Sequence, residues 1–187
     1  MNPTNEQINK VVERYGIKDV AAFMANCHHE SDGFTKFVEN LNYKASALIS
    51  LFSRKRISEQ QCRAYGRTDI QKANQQTIAN IIYGGEWGRI NLGNLVYGDG
   101  WKHRGAGAIQ LTGKANQEKY FKSINEPCLP EKLQTLEYAL DSAGWFWKMK
   151  GIDALPTFKE KCIAVNGGTI GLEERKALYE KYKKELV

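Results

Sequence analysis

Between Gly84 and Gly107 the chain carries eight glycines, interleaved with Trp87, Tyr97 and Trp101. Glycine loses more conformational freedom on folding than any other residue and offers no side chain to pack, so this density interrupts any helical period. The spacing predicts a loop there with a small hairpin. Aromatic rings among glycines suit a site wall, where backbone approaches a ligand closely and rings stack on it, although Trp87 and Trp101 are equally the kind of residue that covers a core.

On either side the pattern is helical. Thr4 and Gln7 stand in capping-box spacing before Ile8, Val11, Val12 and Tyr15, which predicts a helix ending near Gly16. A second helix is expected over about Asp19 to Glu30, with Val20, Phe23, Met24 and Cys27 on one face. Ala45, Leu48, Ile49 and Phe52 give a third, and Ser58 with Gln61 caps a short fourth. Thr68 with Gln71 opens another that reaches Tyr83. Ala108 to Leu111 reads as a short strand, and Thr112 stands where a helix through Tyr120 begins. After the Pro127 to Pro130 break come Leu133 to Lys150, Phe158 to Val165 and Leu172 to Leu186. The fold class is mainly α, and 187 residues suit one domain, 1–187, with its own core.

Composition removes several function classes. No apolar run approaches the roughly 20 residues that cross a bilayer, so no membrane insertion is expected, and MNPTNEQINK lacks the basic-then-apolar order of a signal peptide. Cys27, Cys62, Cys128 and Cys162 lie far apart with no C-x-x-C pair, which reads as reduced, mostly buried thiols rather than a metal or redox site. His28 and His29 have no third ligand at helical spacing, so no metal is expected. The formal charge of +6 attracts an anionic polymer, but no nucleic-acid motif organises it, and the Lys and Glu alternation of the tail is a solvated helix face.

Glycoside cleavage needs an acid to protonate the leaving oxygen and commonly a second carboxylate. Glu30 and Glu39 offer such a pair. On an unbroken helix nine residues would turn by about 900° and separate the two by roughly 13 Å on opposite faces, so a shared cleft needs the break that Ser31-Asp32-Gly33 supplies. Glu30, at a helix end beside apolar Phe34, is expected to be the desolvated carboxyl and Glu39 the wetter one.

Four local patterns occur in order: His29-Glu30-Ser31-Asp32-Gly33-Phe34, Glu39-Asn40-Leu41-Asn42-Tyr43, the stretch from Gly100 to Gly113 containing Arg104-Gly105-Ala106-Gly107-Ala108-Ile109-Gln110-Leu111-Thr112-Gly113, and Val165-Asn166-Gly167-Gly168 with Arg175 downstream. Together they resemble family 19 glycoside hydrolases, in the phage endolysin branch rather than the plant chitinases. The resemblance spans about Val20 to Tyr182. It implies a lysozyme-like, two-lobed helical domain with the Gly-rich loop and hairpin lining a cleft, and no separate wall-binding module.

It further implies Glu30 as general acid, Glu39 as second carboxylate and Thr112 as a holder of the attacking water, acting by inversion without metal or cofactor. Gln110, Asn116, Arg104, Asn166, Tyr43, Trp101 and Arg175 would bind or orient substrate. The implied partner is the glycan strand of peptidoglycan, cut between N-acetylmuramic acid and N-acetylglucosamine by a monomer made in the host cytoplasm and released to the wall. Chitin hydrolysis, and carbohydrate binding without turnover, stand as alternatives. The segment Glu86 to Tyr97 is longer than the resemblance leads one to expect and adds a carboxylate, Glu86.

Overall fold

A computed structural model describes residues 2–186. Met1 and Val187, which the single-domain expectation takes in, lie outside the described residues. The chain is mainly helical, as the periodicity predicts. The helices are α1 (Asn5–Tyr15), α2 (Val20–Glu30), α3 (Ala45–Leu51), α4 (Glu59–Tyr65), α5 (Gln75–Ile82), α6 (Gly85–Leu92), α7 (Asp99–Lys102), α8 (Lys114–Ser123), α9 (Leu136–Met149), α10 (Phe158–Asn166) and α11 (Leu172–Glu185). Extended pairing among the described residues is limited to isolated bridges, Lys44 with Arg67 and Ala106 with Leu111.

The described residues pack as two compact units. The first is built from three stretches of chain, residues 2–37, 106–111 and 131–186, and holds α1, α2, α9, α10 and α11. Its core gathers Phe23, Met24, Ala108, Leu140, Trp147 and Ile152, all at most 2% exposed. Apart from the methyl of Ala108, each of these large side chains contributes about 1.5–3 kcal/mol by leaving water. Phe23 meets Trp147 edge to face, with ring centroids 5.6 Å apart. Gly144 lets α1 lie close on α9: a Cβ there would stand 2.5 Å from both Tyr15 Cδ2 and Val11 Cγ1. The 106–111 stretch is tied into this unit by Gly107 N–H to Phe37 O (2.9 Å) and Ala108 N–H to Ala139 O (3.2 Å).

The second unit, residues 38–105 and 112–130, holds α3 to α8 around Leu41, Leu48, Ile57, Cys62, Ile78 and Ile82. Its caps follow local chemistry. Ser58 and Gln61 close the expected capping box on α4, as Thr4 and Gln7 do on α1.

Several expectations are corrected. The Gly84 to Gly107 stretch is not simply loop, because it contains α6 and α7. Gly88 sits within α6 because a Cβ there would stand 2.0 Å from Tyr83 O, so close packing, not backbone freedom, requires it. The helix expected to open at Thr68 opens at Gln75, capped by Asn74. Gln71 instead spends its amide on the carbonyls of Ala64 (3.0 Å) and Gly66 (2.8 Å) at the end of α4. The strand expected over Ala108 to Leu111 is a tight turn closed by the single Ala106–Leu111 bridge. Residues 130–134 form a 3-10 turn, and the long helix starts after it, at Leu136.

Candidate active site

Of the residues singled out by sequence, Glu30, Gln110, Asn166 and Arg175 belong to the first unit, and Glu39, Tyr43, Trp101, Arg104, Thr112 and Asn116 to the second.

In the first unit α2 ends at Glu30 and the chain turns back over Ser31-Asp32-Gly33, the break that the sequence predicts. Ser31 Oγ accepts from Phe34 N–H (3.0 Å) and donates to Cys27 O (2.6 Å). Asp32, Gly33 and Phe34 all take positive φ, at 49°, 69° and 60°. Glycine adopts this conformation freely, while the other two are held there by the turn. Phe34 is buried. Glu30 does not lean on an apolar wall as expected: its Oε1 pairs with Arg175 Nη2, and Arg175 Nη1 donates to Asn26 Oδ1 at 2.8 Å. Arg175 is 2% exposed and the Glu30 side chain 20%. The guanidinium therefore lies behind the carboxylate, tethered to α2 through Asn26, and α11 supplies it. The physical reason for the correction is that a cation from α11, 145 residues away in the chain, pairs with the carboxylate, which the local sequence does not reveal.

Asn166 closes the turn after α10, accepting from Gly168 N–H (2.7 Å) and donating to Ile170 O (3.0 Å). Gln110, with φ of 56°, donates from Nε2 to Gly107 O at 3.1 Å inside the 106–111 turn.

In the second unit Glu39 is half-buried. Its backbone N–H donates to Gly105 O (2.8 Å), Gly105 N–H donates back to Oε2 (3.3 Å), and Tyr83 Oη donates to Oε1 at 2.6 Å. Burial raises the carboxyl above its ordinary range, opposed by the Tyr83 and Gly105 donors and by the charges of Arg104 and Arg56. Glu39, expected to be the wetter carboxyl, is thus raised by burial. Tyr43 feels the same charge: burial first, then Glu39, push its phenol up. Arg104 lies 3.7 Å over the Trp101 ring and donates to Trp101 O at 2.7 Å. Arg56, which sequence reasoning missed, lies 3.7 Å over Trp87 and donates to Ile82 O at 2.9 Å. Asn116 Nδ2 donates to Thr112 O at 2.8 Å. His103, on the far side of Arg104 in the chain, is buried and bonded to Gln117 at 2.8 Å, and Gln117 Nε2 holds Arg104 O at 3.1 Å.

The Glu86 stretch resolves into a helix and a fixed turn. Glu86 pairs with Arg89 at 2.7 Å, and Asp99 Oδ2 accepts from the N–H groups of Leu95 (2.9 Å) and Val96 (3.2 Å). Leu95, Val96 and Tyr97 are exposed on that turn.

The structure brings Glu30 together with Arg175, Glu39 into the field of Arg104, Tyr43 into the field of Glu39, and Thr112 together with Asn116. Sequence reasoning missed Asn26, Arg56 and Tyr83, none of which lies in the four motifs. Among the described residues no group of three or more His, Cys, Asp or Glu side chains is placed to hold a metal ion, and no helix is long and apolar enough to cross a membrane.

Over 160 residues the chain is 36% identical to a glycosyl hydrolase family 19 domain-containing protein of Haemophilus influenzae, covering 85% of this chain and 76% of that protein. No family model matches the chain.

Proposed function

The chain belongs to family 19 of the glycosyl hydrolases, and from that premise we propose that it is an endolysin-type lysozyme that cuts the β-1,4 bond between N-acetylmuramic acid and N-acetylglucosamine in peptidoglycan. Glu39 carries this reading: a half-buried carboxylate clasped by a phenol and a backbone N–H is a fixed proton acceptor, which an inverting glycosidase needs to activate water.

The proposed reaction is a single displacement. Water attacks the anomeric carbon, its proton passes to Glu39, the glycosidic C–O bond breaks, and Glu30 protonates the departing oxygen. Exchange with solvent restores both carboxyls. Arg175 and Asn26 fix the orientation of the acid, leaving the oxygen that Arg175 does not engage to face the leaving group. Thr112 and Gln110 are the proposed holders of the water and the sugar, and Asn116, Arg104, Trp101, Tyr43 and Asn166 the proposed lining. The net charge of +6 supports an anionic wall polymer over neutral chitin.

The test is clearing of chloroform-treated Gram-negative cells by wild type, Glu30→Gln and Glu39→Gln, with reducing ends counted in the same digests. Clearing with new reducing ends that both substitutions abolish is the expected result. Cleavage of chitin oligomers with walls left intact would make the protein a chitinase. No reducing ends from either polymer would leave a carbohydrate-binding protein.

A further inference from the structure

Tyr83 stands at the C-terminal end of α5, 44 residues from Glu39 in the chain, and no motif includes it. Its backbone is fixed on both sides: its N–H donates to Ala79 O at 2.9 Å and its carbonyl accepts from Asn94 Nδ2 at 2.8 Å. The preceding carbonyl, Ile82 O, accepts from Arg56 Nε, and the Arg56 guanidinium lies 5.8 Å from the Tyr83 ring centre. The phenol therefore has little freedom, and its hydroxyl lies 2.6 Å from Glu39 Oε1. That is the length of a charge-assisted O–H···O⁻ bond, about twice as strong as one between neutral groups.

We propose that Tyr83 is a positioning residue for the proposed base, holding Glu39 Oε1 so that Oε2, beside the Gly105 N–H, presents its remaining lone pair to the proton of the attacking water. The proposal rests on the reading of Glu39 as that base. A buried phenol needs a partner in any case, so packing alone would account for a tyrosine bonded to something. What it does not account for is the choice of partner and the electrostatics around it. The groups facing Glu39 are Tyr83, Tyr43, Arg104 and Arg56, together with the Gly105 N–H. Burial works against ionisation there, and the Tyr83 hydroxyl is the foremost influence opposing it. Burial, reinforced by the Glu39 charge, also pushes the Tyr83 phenol far up, so it remains a donor at every pH at which the enzyme would work.

The experiment compares wild type, Tyr83→Phe and Glu39→Gln. The pH profile of kcat/KM is measured on solubilised peptidoglycan, and the Glu39 side-chain carboxyl is titrated by 13C NMR. Loss of the donor makes Glu39 easier to protonate, so in Tyr83→Phe the acid limb of the profile and the carboxyl titration both move up by about one pH unit. Activity at a pH below the limb then falls about tenfold further than it falls on the alkaline plateau. An unmoved limb and an unmoved titration, with Glu39→Gln inactive, would overturn the role of Tyr83 while leaving the base intact. A fall in rate at every pH with the limb in place would also overturn it, since that is what a merely structural tyrosine does. Activity retained in Glu39→Gln would remove the base itself and the proposal with it. Should Tyr83→Phe fail to fold, 3-fluorotyrosine at position 83 keeps the shape and strengthens the donor, and the titration moves down instead.

Discussion

Arg175→Met tests whether the cation behind Glu30 belongs to the frame of the protein or to its sugar-binding surface. Arg175 is 2% exposed and engages both the Glu30 carboxylate and Asn26 Oδ1. Methionine keeps the bulk of the stem but leaves one carboxylate and one buried amide oxygen without a donor. Removing one partner of a buried pair costs about 3–5 kcal/mol. The Glu30 side chain is 20% exposed and can recruit water, which places the cost near the bottom of that range, about 3 kcal/mol. For a chain of this length that lowers Tm by roughly 6–12 °C. Urea unfolding of wild type, Arg175→Met, Glu30→Gln and the double variant measures it. Once the Glu30 charge is gone the penalty for losing Arg175 should shrink by about 1–2 kcal/mol, because the two side chains share one network. A destabilisation under about 0.5 kcal/mol, with no coupling, would refute the reasoning and return Arg175 to the ligand surface.

Gly144→Ala should destabilise by about 1–3 kcal/mol, read as a lower urea midpoint, since the new methyl meets Tyr15 and Val11 of α1 at 2.5 Å; an unchanged midpoint would show that α1 can move aside. His28 and His103 are both lowered below their ordinary value of 6.5, chiefly by burial. The unfolded chain therefore binds protons first as pH falls, so their contribution is complete above about pH 7 and is lost as the pH drops through 6.5 towards the lower folded values. His103→Gln should flatten the difference in unfolding free energy between pH 7.5 and pH 5.5, and an unchanged slope would count against burial as the cause. Cys27, Cys62 and Cys162 are buried and Cys128 half-buried, so a thiol reagent should modify Cys128 in the native protein and the other three after denaturation; rapid native modification of any second thiol would contradict the packing.

Sequence exposes what neighbours in the chain decide. The boxes at Thr4 and Ser58 close because their Gln partners lie three residues away, and the turn after Glu30 follows from Ser31-Asp32-Gly33 alone. The pair Thr68 and Gln71 has the same spacing, yet Gln71 is claimed by carbonyls at the end of α4, a tertiary demand with no local trace. Gly88 of α6 and Gly100 of α7 mislead for a related reason. Gly88 is needed by the approach of Tyr83 O and Gly100 by that of Ala79 O, so a composition that signals a loop marks close backbone contact within helices. Glu30 and Glu39 stand out in the sequence through the motifs that contain them, but their surroundings do not. Arg175 and Tyr83 reach Glu30 and Glu39 across 145 and 44 residues, and each decides which carboxyl meets a charge and which meets burial.

The threading of the first unit sets an order of events on the ribosome. Residues 38–105 and 112–130 are complete in the nascent chain long before α11 exists, whereas α2 must wait for α11 to supply Arg175. At about 5–20 residues per second, the 145 residues between Glu30 and Arg175 take roughly 7–30 s to synthesise. Throughout that interval the carboxylate that we propose as the acid has no counter-cation, and the apolar face of α2 has no partner from the C-terminal helix. The first unit closes only after translation has passed residue 175, which makes the surroundings of Glu30 among the last parts of the chain to be completed.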